Sequence, residues 1–171
     1  QVVFVSDRLH LRIIKLAYAL KQTEWQVILI HRNTLTFDVT EYFTEIHQYR
    51  NQWGALLLAS TYTPVAYHVF SNWNFDVAST FVRNKPGKVV FDNYDLLTGM
   101  VKKEVLQRYN NQSELEQYCY VNADGLCCRD LRPQFLKNKL GYHLPKTILF
   151  PEYCWPEGKF HRTPKLTDCI H

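Results

Sequence analysis

Asp92, Asn93, Tyr94 and Asp95 stand together at the end of a short apolar run, Val89-Val90-Phe91, introduced by Pro86-Gly87. Two carboxylates, an amide and a phenol within four positions can bind hydroxyl groups, orient them, and accept or return a proton. The same residue types also cap helices and tie down loops, so this segment alone leaves a site and a capping role both open. What raises its interest is the apolar run before it. A run of that length fits a strand covered on both faces, and in open α/β sheets ligands sit outside the carboxyl ends of such strands.

Other apolar runs end in the same way. Val2 to Val5 is followed by Ser6 and Asp7, with His10 close behind. The run Trp25 to Ile30 leaves through His31, Arg32 and Asn33, and Val65 to Phe70 through Ser71, Asn72, Trp73 and Asn74. Leu126-Cys127-Cys128 is followed by Arg129 and Asp130, and Lys146 to Phe150 by Glu152 and Tyr153. Amides and carboxylates satisfy sugar hydroxyls, which both donate and accept, and an aromatic face covers the C–H side of a sugar ring. Ser6, Asp7, His10, Asn72, Trp73, Asn93, Arg129 and Asp130 are therefore candidate ligand contacts. Arg8, Arg12 and Lys15 recur as a basic stripe near the start of the first helix, where unpaired N–H groups favour anions. Arg12 could hold a phosphate or an acidic sugar there, and the alternative is a solvated basic face.

These residues need a sheet to bring them together. Leu9, Ile13, Leu16, Ala17 and Leu20 recur at helical spacing after the first run. Helices are also predicted over 51–63 and 76–82, and another from Ser113 to about Asn122, where Ser113 and Glu116 match a capping box. Ser6 or Asp7 can cap the first helix. A short strand within 36–49 is read from Phe43, Ile46 and Tyr49, which do not alternate cleanly. His68 lies inside an apolar run and reads as a core histidine with a satisfied hydrogen bond. Strand and helix alternate along most of the chain, which predicts a three-layer α/β domain with a mainly parallel sheet of about six to seven strands. The switch point then lies near the first strand, so that the exits of the first, fourth and fifth strands share one crevice.

Composition narrows the function. The 171 residues are 46% hydrophobic and 21% charged, enough for one domain with a real core. A net charge of +4, with basic residues dispersed, does not support a nucleic-acid surface. No apolar run approaches the ~18 residues of a membrane span, and no signal peptide is visible. Five cysteines without a C-x-x-C pair indicate neither a disulfide framework nor a zinc site, and reduced thiols in the cytoplasm are expected. The first strand lacks G-x-G-x-x-G, which argues against dinucleotide binding, and neither G-x-S-x-G nor H-E-x-x-H occurs. A receiver-type phosphoacceptor domain would need an acidic cluster at the first strand that Asp7 alone does not provide. Both ends read as cut, which points to one domain of a longer protein.

Three stretches give the chain a resemblance to the amino-terminal domain of a GT-B glycosyltransferase, nearest the family-4 type. They are Val2 to Asp7 with the following helix and the strand Val27 to Ile30; the segment Lys88 to Leu96; and Glu116 through Ala123-Asp124-Gly125-Leu126 to Arg129. The resemblance implies a Rossmann-like domain over 1–155, with 156–171 starting the linker to a second domain in cis. It implies that this half holds a sugar, glycan, lipid or small-molecule acceptor. The second half would hold the nucleotide-sugar donor, with no further cofactor and no metal. Tyr94 and Asp95 then occupy the catalytic position, where relatives often carry a His-Asp pair. A tyrosine of ordinary pKa, about 10, is a poor general base at neutral pH. The position of the relatives' glycine-rich turn reads Ser6-Asp7-Arg8-Leu9-His10 here. The rival expectation is a non-catalytic glycosyltransferase-like module that binds a glycan or a protein. Peripheral contact with a membrane through Arg8, Arg12 and Lys15 is a further expectation.

Overall fold

The computed structural model describes residues 1–33, 35, 38–97, 111–128, 135–138 and 141–149. Its seven strands are β1 (Val2–Ser6), β2 (Val27–His31), β3 (Glu45–Gln48), β4 (Ala66–Ser71), β5 (Val89–Asn93), β6 (Gly125–Cys128) and β7 (Lys146–Leu149). Among the described residues, the helices of eight residues or more are α1 (Leu11–Lys21), α2 (Gln52–Ala59), α3 (Asp76–Asn84) and α4 (Gln112–Asn122). The strands form one sheet in the order β3-β2-β1-β4-β5-β6-β7, and every pairing is parallel. This is the α/β, Rossmann-like architecture with its order reversing between β1 and β4, as the alternation of runs predicts.

Strand side chains alternate between two covered faces, which is why the runs are continuously apolar. Val3 and Val5 join Ile28, Ile30, Val69, Val89 and Phe91 on one face, packed with Ala55 and Ala59 of α2, Phe81 and Val82 of α3, and Leu115 and Cys119 of α4. Phe4 joins Val27, Leu29 and Phe70 on the other, against Ile13, Ile14 and Ala17 of α1. Each fully buried Val, Ile or Phe contributes about 1.5–3 kcal/mol, so these two layers hold the sheet between its helices. Gly87 makes room at the entry to β5: a Cβ there would lie 3.0 Å from the Tyr67 ring, which would have to shift by a few tenths of an ångström.

Two capping expectations fail. α1 starts at Leu11 with His10 at its N-cap and no side-chain cap, so neither Ser6 nor Asp7 caps it. Ser6 Oγ instead donates to the Arg8 carbonyl. α4 begins one residue before Ser113, because Gln112 is tied into the fold: its Oε1 accepts from Phe75 N and its Nε2 donates to Asp76 Oδ1. Glu116 therefore points inward, away from any capping box. Arg129, Asp130, Glu152, Tyr153 and the linker expected over 156–171 lie outside the described residues.

The sheet's outer edge at β3 is short. Glu45 and His47 stand on it, with Tyr62 donating to Glu45 Oε2 and lying 2.6 Å from His47 Nε2. No helix among the described residues is long and apolar enough to cross a membrane.

Candidate functional site

Register brings the polar exits level. Ser6 of β1 pairs with Phe70 of β4, and Ser71 of β4 pairs with Asn93 of β5. The ladder continues one residue further, with Tyr94 N donating to the Ser71 carbonyl at 2.9 Å. Ser6, Asp7, His10, Asn72, Trp73, Asn93, Tyr94 and Asp95 thus all follow the carboxyl ends of three adjacent parallel strands.

Their surroundings differ. The His10 ring lies 4.8 Å from the Tyr94 ring and 6.1 Å from Phe70. Desolvation in that aromatic setting pulls its pKa down to about 4, so the imidazole is neutral at pH 7. Asp7 accepts a hydrogen bond from the Tyr49 hydroxyl. Burial raises the Asp7 carboxyl above its ordinary range, against the lowering effects of that bond and of Arg32. Asn93 is buried, and its Nδ2 donates to Glu116 Oε1 at 2.6 Å and to the Tyr120 hydroxyl at 3.1 Å. Asn72 is exposed, while Trp73 packs against the core on the α2–α4 side. Trp73 also holds φ 59°, the left-handed region that a bulky residue rarely enters. Strain of that kind collects at functional positions.

Three polar atoms at these strand ends are buried and have no hydrogen-bond partner among the described residues: His10 Nδ1, Ser71 Oγ and Asn93 Oδ1. They come from behind β1, from the end of β4 and from the end of β5. Leaving a polar atom so placed costs about 1–3 kcal/mol, which a hydroxyl-bearing ligand would recover.

Arg12 lies elsewhere than its spacing suggests. It is 1% exposed, and its Nε sits 3.2 and 3.1 Å from the two oxygens of Asp92, on the α1 side of the sheet. His68 Nε2 reaches the same carboxylate at 3.0 Å while its ring stacks on Phe70. Arg12 Nη2 donates to Cys127 Sγ at 3.3 Å. Burial pushes the Asp92 carboxyl up, but the hydrogen bond and charge of His68 and the Arg12 guanidinium outweigh it and hold it below its usual range. His68, Asp92 and Cys127 have the donor types of a metal centre, with ligand atoms within 4.8 Å of one another. The guanidinium already neutralises that carboxylate, and burial raises the Cys127 thiol, so the cluster acts as an internal ion-pair network. The basic stripe is accordingly broken: Arg8 is exposed and Arg12 is core.

Glu116 was not legible as part of this region. It is 0% exposed, and its Oε1 accepts from Leu97 N at 2.8 Å as well as from Asn93. It pins the segment that carries Tyr94 and Asp95. Tyr49 and Ser71 were likewise missed as contacts; both sit at strand exits, which is the signal that marks them.

No protein-family model matches the sequence, and no curated protein sequence does. Solved structures do match. A chain of sucrose-phosphate synthase from Thermosynechococcus elongatus superposes with a TM-score of 0.62 at 12% identity, covering 90% of this chain and 90% of that one. Likeness at that identity shows the fold, a GT-B-like, Rossmann-type α/β domain.

Proposed function

We propose that this chain is the acceptor-side domain of a glycosyltransferase, nearest the family-4 type. It would move a sugar from a nucleotide-sugar donor to a glycan, lipid or small-molecule acceptor. The observation that carries this reading is the set of partnerless buried atoms, His10 Nδ1, Ser71 Oγ and Asn93 Oδ1, at three neighbouring strand ends of a GT-B-like fold. Two acceptors and a hydroxyl suit a ligand rich in hydroxyl groups. In this reading Ser6, Asp7, His10, Asn72, Trp73 and Asn93 surround the acceptor, with Arg129 and Asp130 at the rim. Tyr94 and Asp95 stand at the transferred sugar, positioning the attacking hydroxyl and stabilising charge as it develops. Residues 1–155 form this domain and 156–171 begin the linker. A second domain in cis holds the donor, and neither a metal nor another cofactor is required. We place the protein in the cytoplasm, in peripheral contact with a membrane where the acceptor is a lipid, and without a nucleic-acid partner.

The test is turnover of nucleotide sugars by the full-length protein that carries this domain. Asp95→Ala should lower kcat by at least about a hundredfold with the fold intact. Unchanged turnover in that variant removes Asp95 from the reaction.

A second reading is a glycan- or protein-binding module without activity. Tyr94 in the place of a base favours it, as does His10, whose lowered pKa makes it a weak base. Full-length protein that binds a glycan calorimetrically yet turns over no donor would establish this reading over the first.

A further inference from the structure

A separate basic pocket lies beside the crevice, at the exits of β2 and β3. It is an open hollow of about 510 Å³ lined by Arg32, Asn33, Gln48, Tyr49 and Arg50, all of them exposed except Tyr49. The register explains it. His31 pairs with Gln48, so the two parallel strands end level, and each is followed within two residues by an arginine.

The backbone under both arginines is fixed. Tyr49 N donates to the His31 carbonyl, and Gln48 Nε2 donates to the Arg32 carbonyl at 3.0 Å. His31 Nδ1 donates to the Asn33 carbonyl at 2.6 Å, and Arg32 N donates to the Ser6 carbonyl. The side chains are not committed in the same way. Among the described residues, neither the Arg32 nor the Arg50 guanidinium has a hydrogen bond or an ion pair, nor does the Asn33 amide. The carboxylate within electrostatic reach of Arg32 is Asp7, whose oxygen is turned to the Tyr49 hydroxyl at the pocket's edge.

We propose that this pocket binds the phosphate group of a small phosphorylated ligand, held between the Arg32 and Arg50 guanidinium groups. Two guanidinium forks offer paired N–H donors that match phosphate oxygens, and together they balance a dianion. Asn33 and Gln48 supply neutral amide groups beside it, and the buried Tyr49 ring closes the floor. The ligand class follows from the lining: an uncharged sugar would use the N–H donors but not the charge of the two exposed arginines, whereas a phosphate monoester engages both. This does not depend on transferase activity, and its test uses neither donor nor turnover.

The experiment is a titration of the full chain with inorganic phosphate, and in parallel with a hexose 6-phosphate, followed by ¹H–¹⁵N correlation spectra that include the arginine Nε–H groups. Saturable shifts confined to 31–33 and 48–50 are expected. Arg32→Gln and Arg50→Gln should each weaken binding about tenfold, and Lys137→Gln should leave it unchanged. Thermal melts check that the variants stay folded. Absence of saturable shifts with either ligand overturns the proposal, as does affinity equal to the parent chain's in both arginine variants. Binding only to vesicles containing phosphatidic acid, with no response to the soluble phosphates, also overturns it by assigning the arginines to a membrane surface.

Discussion

Arg12 Nε lies within 3.2 Å of both carboxylate oxygens of Asp92, joining α1 to β5 across 80 positions of sequence. Both side chains are 1% exposed. Desolvating two charges is costly, and the pair persists because His68 and Cys127 complete its hydrogen bonding. Removing one partner is a different matter. Asp92→Ala should cost about 3–5 kcal/mol in urea unfolding, because it strands a buried guanidinium. Arg12→Met combined with Asp92→Leu should recover most of that loss. A single variant within about 1 kcal/mol of the parent would contradict the burial of this charge.

The chain should lose stability on acidification, through His10 between pH 6.5 and about 4 and through Asp92 below pH 3.8. His10 has a folded pKa of about 4 against an ordinary 6.5. Between those values the unfolded chain binds more protons, so stability rises with pH across that window. Asp92 has its folded pKa depressed below 3.8, so its contribution is present above that value and fades as pH falls through the folded pKa. Asp7 runs the other way: its raised folded pKa means that stability from this group falls as pH climbs above 3.8. His10→Phe should flatten the slope between pH 4 and 6.5, removing roughly 1–3 kcal/mol of pH dependence. Denaturation midpoints across that range give the answer.

Glu116 predicts a local effect. Glu116→Ala would leave Asn93 Nδ2 and Leu97 N without their common acceptor. We expect about 2–4 kcal/mol of destabilisation and, before global unfolding, faster hydrogen exchange at the Leu97 amide. Global loss with unaltered exchange at Leu97 would mean that Glu116 serves the core and does not hold the Tyr94–Leu97 segment.

Lys85 ends α3 in the left-handed conformation, φ 43° and ψ 63°, with its N–H bonded to the Phe81 carbonyl. A glycine enters that conformation without the Cβ penalty. Lys85→Gly should therefore stabilise the domain by about 0.5–1 kcal/mol, seen as a Tm raised by roughly 1–4 °C.

The parallel sheet was readable because burial on both faces writes continuous apolar runs into β1, β2, β4 and β5. The same reasoning nearly missed β3, whose sequence Glu45-Ile46-His47-Gln48 carries the mark of an edge with one covered face. Exits were readable as polar endings, but not what each polar group touches. Arg12 falls in a basic stripe by spacing, and only its distant partner Asp92 turns it inward. Ser113 and Glu116 satisfy a local capping pattern, yet Gln112 anchors α4 one residue earlier and sends Glu116 into the core. Local pattern yields to tertiary contact wherever the partner lies far along the chain.

The composition of β3 also bears on how these molecules behave in a crowded solution. A parallel sheet invites additional ribbons along its flank, and a long greasy flank would let neighbouring molecules stack into fibrous material. Four residues, with an acid and an imidazole already engaged by a phenol, make a poor template for such self-adhesion. The rim that makes β3 hard to recognise is thus a barrier to uncontrolled growth of the sheet.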